Sequence, residues 1–497
     1  MRKTAIRIIA IILAAVCSAV PFTGVSASMT IKDIAEEQTA DLAAYINALV
    51  LPNGAFPMNE PSVSNFSTQG LETIDGVTPE VYTRWPSGKI VPYFSELAIL
   101  GALKTSPDGA KEAAERFIDW YFAHLNDKTT DLNGVDGTVY DYYCFVDPAD
   151  SEHIIEVTVR KLNEHKYTDN PSENPNDYDS TDSYAACFLR VLYEYYKNYG
   201  GDLLKDKKDD VLRIVGALKS TCVPALGLTG AKPNYMVCYL MDNCEVYDGL
   251  VAGAKLFDEL YGDQAAAKEL QELSGTVKNA IETHLWSDEL GAYYPYVFAD
   301  GKAPGKIDLD VFYPDATAQL FAISYGLIEP ESERAQKLYA DFNSHFGTRL
   351  QGWHVLKTGD AFPWASISGV AAKMQDYERL EIYIQVIKSR FQPSGYGYPF
   401  YNSEAGAMLN MYDIFLNSEY YKETYLSADA VSSPESETES STAESTVSAA
   451  ESTDEANGQK GGIGKYLLIG GLAALAIAGV LVFAIRKKAK KHHPAQK

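Results

Sequence analysis

The feature that most constrains the fold is a pattern that recurs six times. A glycine-led aromatic segment is followed, each time, by an apolar run rich in small residues. The copies are Asn53-Gly-Ala-Phe-Pro leading to Pro92-Tyr-Phe-Ser-Glu-Leu; Gly137-Thr-Val-Tyr leading to Asp182-Ser-Tyr-Ala-Ala; and Gly227-Leu-Thr-Gly leading through Tyr235, Val237 and Tyr239 to Asp242-Asn-Cys-Glu245. They continue with Gly291-Ala-Tyr-Tyr-Pro-Tyr to Asp315-Ala-Thr-Ala, Gly352-Trp-His to Trp364-Ala-Ser-Ile, and Gly395-Tyr-Gly-Tyr-Pro-Phe to Glu404-Ala-Gly-Ala. A long-period internal repeat means that one supersecondary unit is stacked on its neighbours.

Between copies lie charged segments with helical periodicity. Lys111 to Asn126 puts Ala114, Phe117, Ile118, Tyr121, Phe122 and Leu125 on one face, and Gln264 to Trp286 repeats the arrangement. Ile31 to Val50, Asp206 to Ser220, Glu331 to Phe346 and Gln375 to Arg390 complete six outer helices. The inner six are less amphipathic, as helices covered on several faces should be. The expected fold is all-α, a closed toroid of six helical hairpins with short β-hairpin loops at one rim; an open solenoid is the alternative. Two copies carry insertions, Ser64 to Lys89 and Phe145 to Asp179, the second with a predicted strand at Ile154-Ile-Glu-Val-Thr-Val. Each is either a binding wall or simple drift.

The ends are of another kind. Residues 1–27, with Arg2, Lys3 and Arg7 before an apolar run and Val25-Ser-Ala27 after it, have the form of a secretory signal peptide. The hairpin domain then covers 28–427. A Ser/Thr/Glu-rich stretch, 428–463, has no aromatics with which to bury a core and is expected to be a disordered tether. An apolar helix over 464–485 is long enough to span a bilayer, and the basic tail 486–497 orients it with that end in the cytoplasm. The expected location is extracytoplasmic, anchored by one C-terminal transmembrane helix.

The chain carries a net charge of −24, and its signal and tail contribute only positive residues, so the domain between them is more acidic still. Such a surface repels nucleic acid and suits a neutral substrate. No CxxC or HExxH motif is present, and no cofactor or metal is expected; Asp131-Leu-Asn-Gly-Val-Asp136 lacks the spacing of a calcium loop and is taken as a turn. Five cysteines remain after the signal, an odd number that argues against a disulfide framework. A Cys238–Cys244 bridge and buried free thiols both stay open.

The architecture resembles the six-hairpin glycosidases, the (α/α)6 toroids that include glucoamylase-like enzymes, over about Thr30 to Tyr425. The segments in matching places are Asp242-Asn-Cys-Glu245-Val-Tyr-Asp248-Gly and Tyr401-Asn-Ser-Glu404-Ala-Gly. The resemblance implies an acid between the fifth and sixth helices and a base between the eleventh and twelfth. Here these are Glu245 or Asp242 and then Glu404, with Glu245 favoured as acid for its longer reach. It implies a glycoside hydrolase on a neutral oligo- or polysaccharide, of the inverting type, in which two separated carboxyls flank a water. Asp242 capping a helix with Glu245 as its box partner is the purely structural alternative. Asp182 fits a sugar-hydroxyl contact or, equally, a helix cap, while Asp315 and Glu96 are expected to be caps. Arg84, Trp85, Tyr235, Tyr239, Trp353, Trp364 and Tyr401 are the candidate substrate-binding residues. Two competing functions remain: a non-catalytic carbohydrate-binding surface protein, and a polysaccharide lyase or sugar epimerase, for which His354 with Arg84 is the only suggestion. The oligomeric state is left open.

Overall fold

Twelve helices alternate between two kinds along the chain, and the alternation follows from residue size. The outer ones are α1 (Ile31–Leu49), α3 (Pro107–Ala123), α5 (Lys208–Lys219), α7 (Gln264–Ala280), α9 (Glu333–Phe346) and α11 (Tyr377–Arg390). The inner ones are α2 (Pro92–Thr105), α4 (Thr181–Tyr199), α6 (Leu240–Glu259), α8 (Thr317–Ser324), α10 (Ser366–Lys373) and α12 (Asn402–Leu416). The computed structural model describes residues 29–63, 73–74, 77–166, 178–347 and 362–426. The predicted signal, tether, membrane helix and basic tail lie outside these residues, as do Trp353 and His354. Among the described residues no helix is long and apolar enough to cross a membrane.

Each inner helix packs against the next, and α12 packs back against α2, so the ring is closed. In the outer layer, α1 touches both α3 and α11, so the first and last outer helices meet across the seam. Small residues make the inner contacts possible. At the seam, a methyl group on Gly101 of α2 would stand 2.1 Å from the carbonyl oxygen of Gly406 on α12, and one on Gly406 would stand 2.2 Å from the carbonyl oxygen of Leu97. Only glycine allows backbones that close. The outer helices need one apolar stripe: in α3, Ala113, Ala114, Phe117, Trp120 and Tyr121 are buried.

The chain reverses at the far end through glycines such as Gly200 and Gly262, both with positive φ. Longer connections into the inner helices gather at the other end. Two of them build a four-stranded antiparallel sheet in the order β1 (Ser62–Val63), β2 (Pro86–Ile90), β3 (Tyr142–Asp147), β4 (Asp150–Thr158). The two insertions are therefore one structure, β2 of the first pairing with β3 of the second. Glu156 of β4 fastens this sheet to α3: its carboxylate accepts from Asn53 Nδ2 (2.5 Å) and Trp120 Nε1 (3.0 Å) and lies 2.8 Å from His124 Nε2. Three ribbons complete the rim: β5 (Cys222–Val223) with β6 (Leu228–Thr229), β7 (Val237–Tyr239) with β10 (Tyr296–Phe298), and β8 (Trp286–Ser287) with β9 (Ala292–Tyr293).

The five cysteines of the described residues are free thiols, so Cys238 and Cys244 are not bridged. Asp131 forms a turn: its carboxylate accepts from the N–H groups of Asn133 and Val135 and from the Thr138 hydroxyl.

Candidate active site

Helix α6 starts at Leu240, three residues earlier than a cap at Asp242 would place it. A long-range clamp explains this. The Asn243 side chain accepts from Thr229 N (2.9 Å) and donates to the carbonyls of Thr229 (3.0 Å) and Tyr239 (2.8 Å), so it holds the first turn of the helix against β6. Tyr239 occupies the N-cap position. Asp242 is therefore not a cap and Glu245 not a capping-box partner; they are the third and sixth residues of the helix.

Asp242 is partly exposed and faces other carboxylates. Burial raises its pKa well above the usual carboxylate range, and Asp182, Glu245 and Asp179 raise it further by repulsion. A carboxyl so placed is biased toward its protonated form.

Glu245 lies deeper, only 2% exposed. Its Oε1 accepts from the hydroxyls of Tyr93 (2.5 Å) and Tyr325 (3.1 Å). Burial pushes its pKa up to about 7, and the Tyr93 hydrogen bond and the nearby Arg190 guanidinium restrain the rise. Arg190 itself is paired with Asp248 at 2.7 Å. Beside Glu245 stands Glu96, the fifth residue of α2 and not the cap expected of it. It is fully buried, neither oxygen has a hydrogen-bond donor among the described residues, and burial together with Glu245 raises its pKa strongly.

Glu404 is the third residue of α12, 7% exposed, and its Oε2 accepts from the Ala365 N–H at 2.6 Å. The preceding Trp364 has φ +55°, a left-handed conformation costly for a tryptophan, and it aims that N–H at the carboxylate. In a ring of six, the third and sixth inner helices are opposite one another. Asp242 and Glu404 hold the same position on those two helices, at the end where the long loops gather.

Asp182 departs from expectation. Ser180 is the cap of α4, and Asp182 is fully buried, accepting from the Ser180 hydroxyl (2.5 Å) and the Thr229 hydroxyl (2.6 Å). It braces the second repeat to the third and offers no exposed atom to a sugar. Asp315, expected to be a cap, instead accepts from Asp308 N and ties down the loop before α8.

Aromatic rings gather at the starts of the inner helices. Tyr178 contacts Tyr184, which stacks on Tyr93; Phe94, beside Tyr93, contacts Tyr401 at 6.0 Å. Tyr401 meets Phe362, Phe362 meets Trp364, and Trp364 meets Tyr313 at 5.4 Å. Tyr235 and Tyr239, their hydroxyls 3.1 Å apart, supply the third repeat's share, and Lys232 lies over the Tyr178 ring. All six repeats contribute. Of the expected binding residues, Tyr235, Tyr239, Trp364 and Tyr401 belong to this band. Arg84 and Trp85 do not: Arg84 is exposed and pairs with Glu80, and Trp85 packs edge-on against His153 of the inserted sheet. Sequence reasoning passed over Tyr93, Phe94, Tyr184, Tyr313 and Phe362, although they sit at helix starts within or beside the repeated segments. Arg190 and Tyr325 had no local signal, lying within and at the far end of inner helices.

No protein-family model matches the chain, and no curated protein sequence does. Solved structures match its fold at low identity. A wild-type glycosidase is 13% identical over 78% of this chain and 98% of its own, with a TM-score of 0.47. The GH63 mannosylglycerate hydrolase from Thermus thermophilus, in complex with glucose, is 11% identical over 76% of this chain and 99% of its own (TM-score 0.45). A rhamnosidase from Klebsiella oxytoca with rhamnose bound is 13% identical over 72% of this chain and 65% of its own (TM-score 0.40).

Proposed function

We propose that the chain is a glycoside hydrolase of the inverting type, with Asp242 as general acid and Glu404 as general base. The observation that carries this reading is the pairing of these carboxyls: same position, opposite inner helices, unlike surroundings. Asp242, among carboxylates, is biased toward the protonated form that can give a proton to a leaving oxygen. Glu404 takes an N–H donor, which favours the charged form that can accept a proton from water. Six helices packed roughly 9 Å apart in a ring put opposite axes about 18 Å apart. Side chains reach roughly 5–6 Å from each axis. The remaining gap of roughly 6–8 Å overlaps the separation of about 6.5–9.5 Å that an acid–water–base displacement needs.

This assignment moves the acid from Glu245 to Asp242. Glu245 is enclosed and its Oε1 is already engaged by two tyrosines, so it acts as a neighbour that keeps Asp242 protonated. The aromatic band suits sugar faces, and the crowd of carboxylates suits neutral sugars over acidic ones. The test is a hydrolysis screen of neutral oligosaccharides with the protein and its Glu404→Gln variant. Turnover by the parent, lost in the variant while sugar binding persists, is the expected outcome. Equal turnover by both would remove the base.

The residues at the two ends support a further reading, that the enzyme is exported and anchored to the cell membrane. A reporter fused after Lys497 should then be cytoplasmic, and external protease should cut within 428–463. Recovery of all full-length protein in the soluble fraction would contradict the anchor.

A further inference from the structure

The ribbon of β7 and β10 bears an aromatic face of which the band described above takes in only Tyr239. Its register sets Tyr296 opposite Tyr239 and Phe298 opposite Val237. Side chains alternate across a strand, so Tyr239, Tyr296 and Phe298 share one face while Cys238 and Val297 share the other. The second face is core, with Cys238 and Val297 fully buried. The first is open: Phe298 is 38% exposed and Tyr296 is half-buried. The rings form a line, 5.8 Å from Tyr239 to Tyr296 and 5.5 Å from Tyr296 to Phe298. Phe298 is the one exposed phenylalanine among the described residues, and leaving it in water forfeits burial.

The place of the line gives it a use. β7 ends at Tyr239, three residues before Asp242, and β10 lies in the connection leading to α8. The line therefore starts within one helical turn of the proposed proton donor and ends, through Tyr296, at the exposed Phe298. A general acid protonates the oxygen of the departing sugar, so the departing part of the substrate lies on the acid's side. We propose that the Tyr239–Tyr296–Phe298 face is a stacking platform for the leaving-group portion of a neutral oligosaccharide, and that the substrate extends at least one sugar beyond the unit that departs from Asp242. This rests on the hydrolytic reading above. Flat rings facing solvent stack on the apolar faces of pyranose units without regard to charge.

The experiment compares the parent chain with Phe298→Ala and Phe298→Trp on malto-, cello- and manno-oligosaccharides of two to five units, with thermal melts to confirm that each variant is folded. The ratio of kcat/KM for the tetrasaccharide to that for the disaccharide should fall roughly 3- to 10-fold in Phe298→Ala, the usual value of one aromatic contact, and recover in Phe298→Trp. A ratio unchanged in Phe298→Ala, with the parent hydrolysing a series, overturns the platform and leaves the hydrolase standing. If the parent hydrolyses none, calorimetric binding of the same tetrasaccharides decides. Binding that Phe298→Ala weakens supports the platform while the hydrolytic reading fails, and no binding overturns both.

Discussion

Replacing Glu245 with Gln should change how stability depends on pH, by an amount the structure sets. Burial raises the pKa of Glu245 from the ordinary 4.5 to about 7 in the folded protein. A shift of that size, at 1.36 kcal/mol per unit, is about 3 kcal/mol. The sign follows from proton linkage: between these two pKa values the folded state holds a proton that the unfolded state has released, so stability falls as pH rises. The contribution is whole below about pH 4.5 and is lost as pH climbs through about 7. Gln keeps an oxygen for the hydroxyls of Tyr93 and Tyr325 but cannot ionise. Urea unfolding of parent and variant at pH 5, 6, 7 and 8 cancels the carboxylates the two proteins share. The variant should gain on the parent by about 2–3 kcal/mol between pH 5 and pH 8. Parallel stability profiles would refute the reasoning, since Glu245 would then ionise in the folded state as easily as in the unfolded chain.

Two further outcomes follow from packing. Gly101→Ala drives a methyl into the Gly406 carbonyl at the ring's seam and should cost about 3 kcal/mol or more in chemical unfolding. Gly275→Ala, on α7 with open space where a methyl would go, should be neutral or stabilising by up to about 1 kcal/mol; equal melting temperatures for the two variants would mean the seam is not closely packed. Glu156→Ala removes the acceptor of Trp120 and Asn53 and should cost about 2–4 kcal/mol, exposing the inserted sheet to limited proteolysis before the helices are cut. A cleavage pattern like the parent's would mean that other contacts hold the sheet in place.

The helical layers were legible because they are written locally. The outer helices carry a 3.6-residue stripe, and their ends fall within a few residues of expectation, α7 excepted, where the last turn widens into a π-helix at Ile281–Leu285. The six glycine-led copies likewise announced six inner helices. What was not legible depends on partners far away in sequence. The start of α6 is fixed by Asn243 gripping Thr229, and nothing near Asn243 foretells that bond. The sheet joins two insertions that look unrelated until β2 and β3 pair. Glu96 and Arg190 resemble ordinary mid-helix charges, and only closure of the ring turns their side chains toward its buried interior. The placing of Asp242 and Glu404 at the same position on the third and sixth inner helices was foreshadowed by counting hairpins. The proposal of Asp242 over Glu245 as acid rests on burial and hydrogen bonds that the sequence does not display.

Leaving-group dependence tests directly whether Asp242 donates the proton across the ring from Glu404. On the best oligosaccharide from the screen, Asp242→Asn should lower kcat/KM by roughly 100- to 10,000-fold, the usual worth of general acid catalysis. On the 2,4-dinitrophenyl glycoside of the same sugar, whose leaving group needs no proton, the same variant should keep most of the parent's rate, while Glu404→Gln should be slow on both substrates. If Asp242→Asn hydrolyses the oligosaccharide at the parent's rate and Glu245→Gln shows the leaving-group dependence instead, Asp242 is not the acid and the assignment reverts to Glu245.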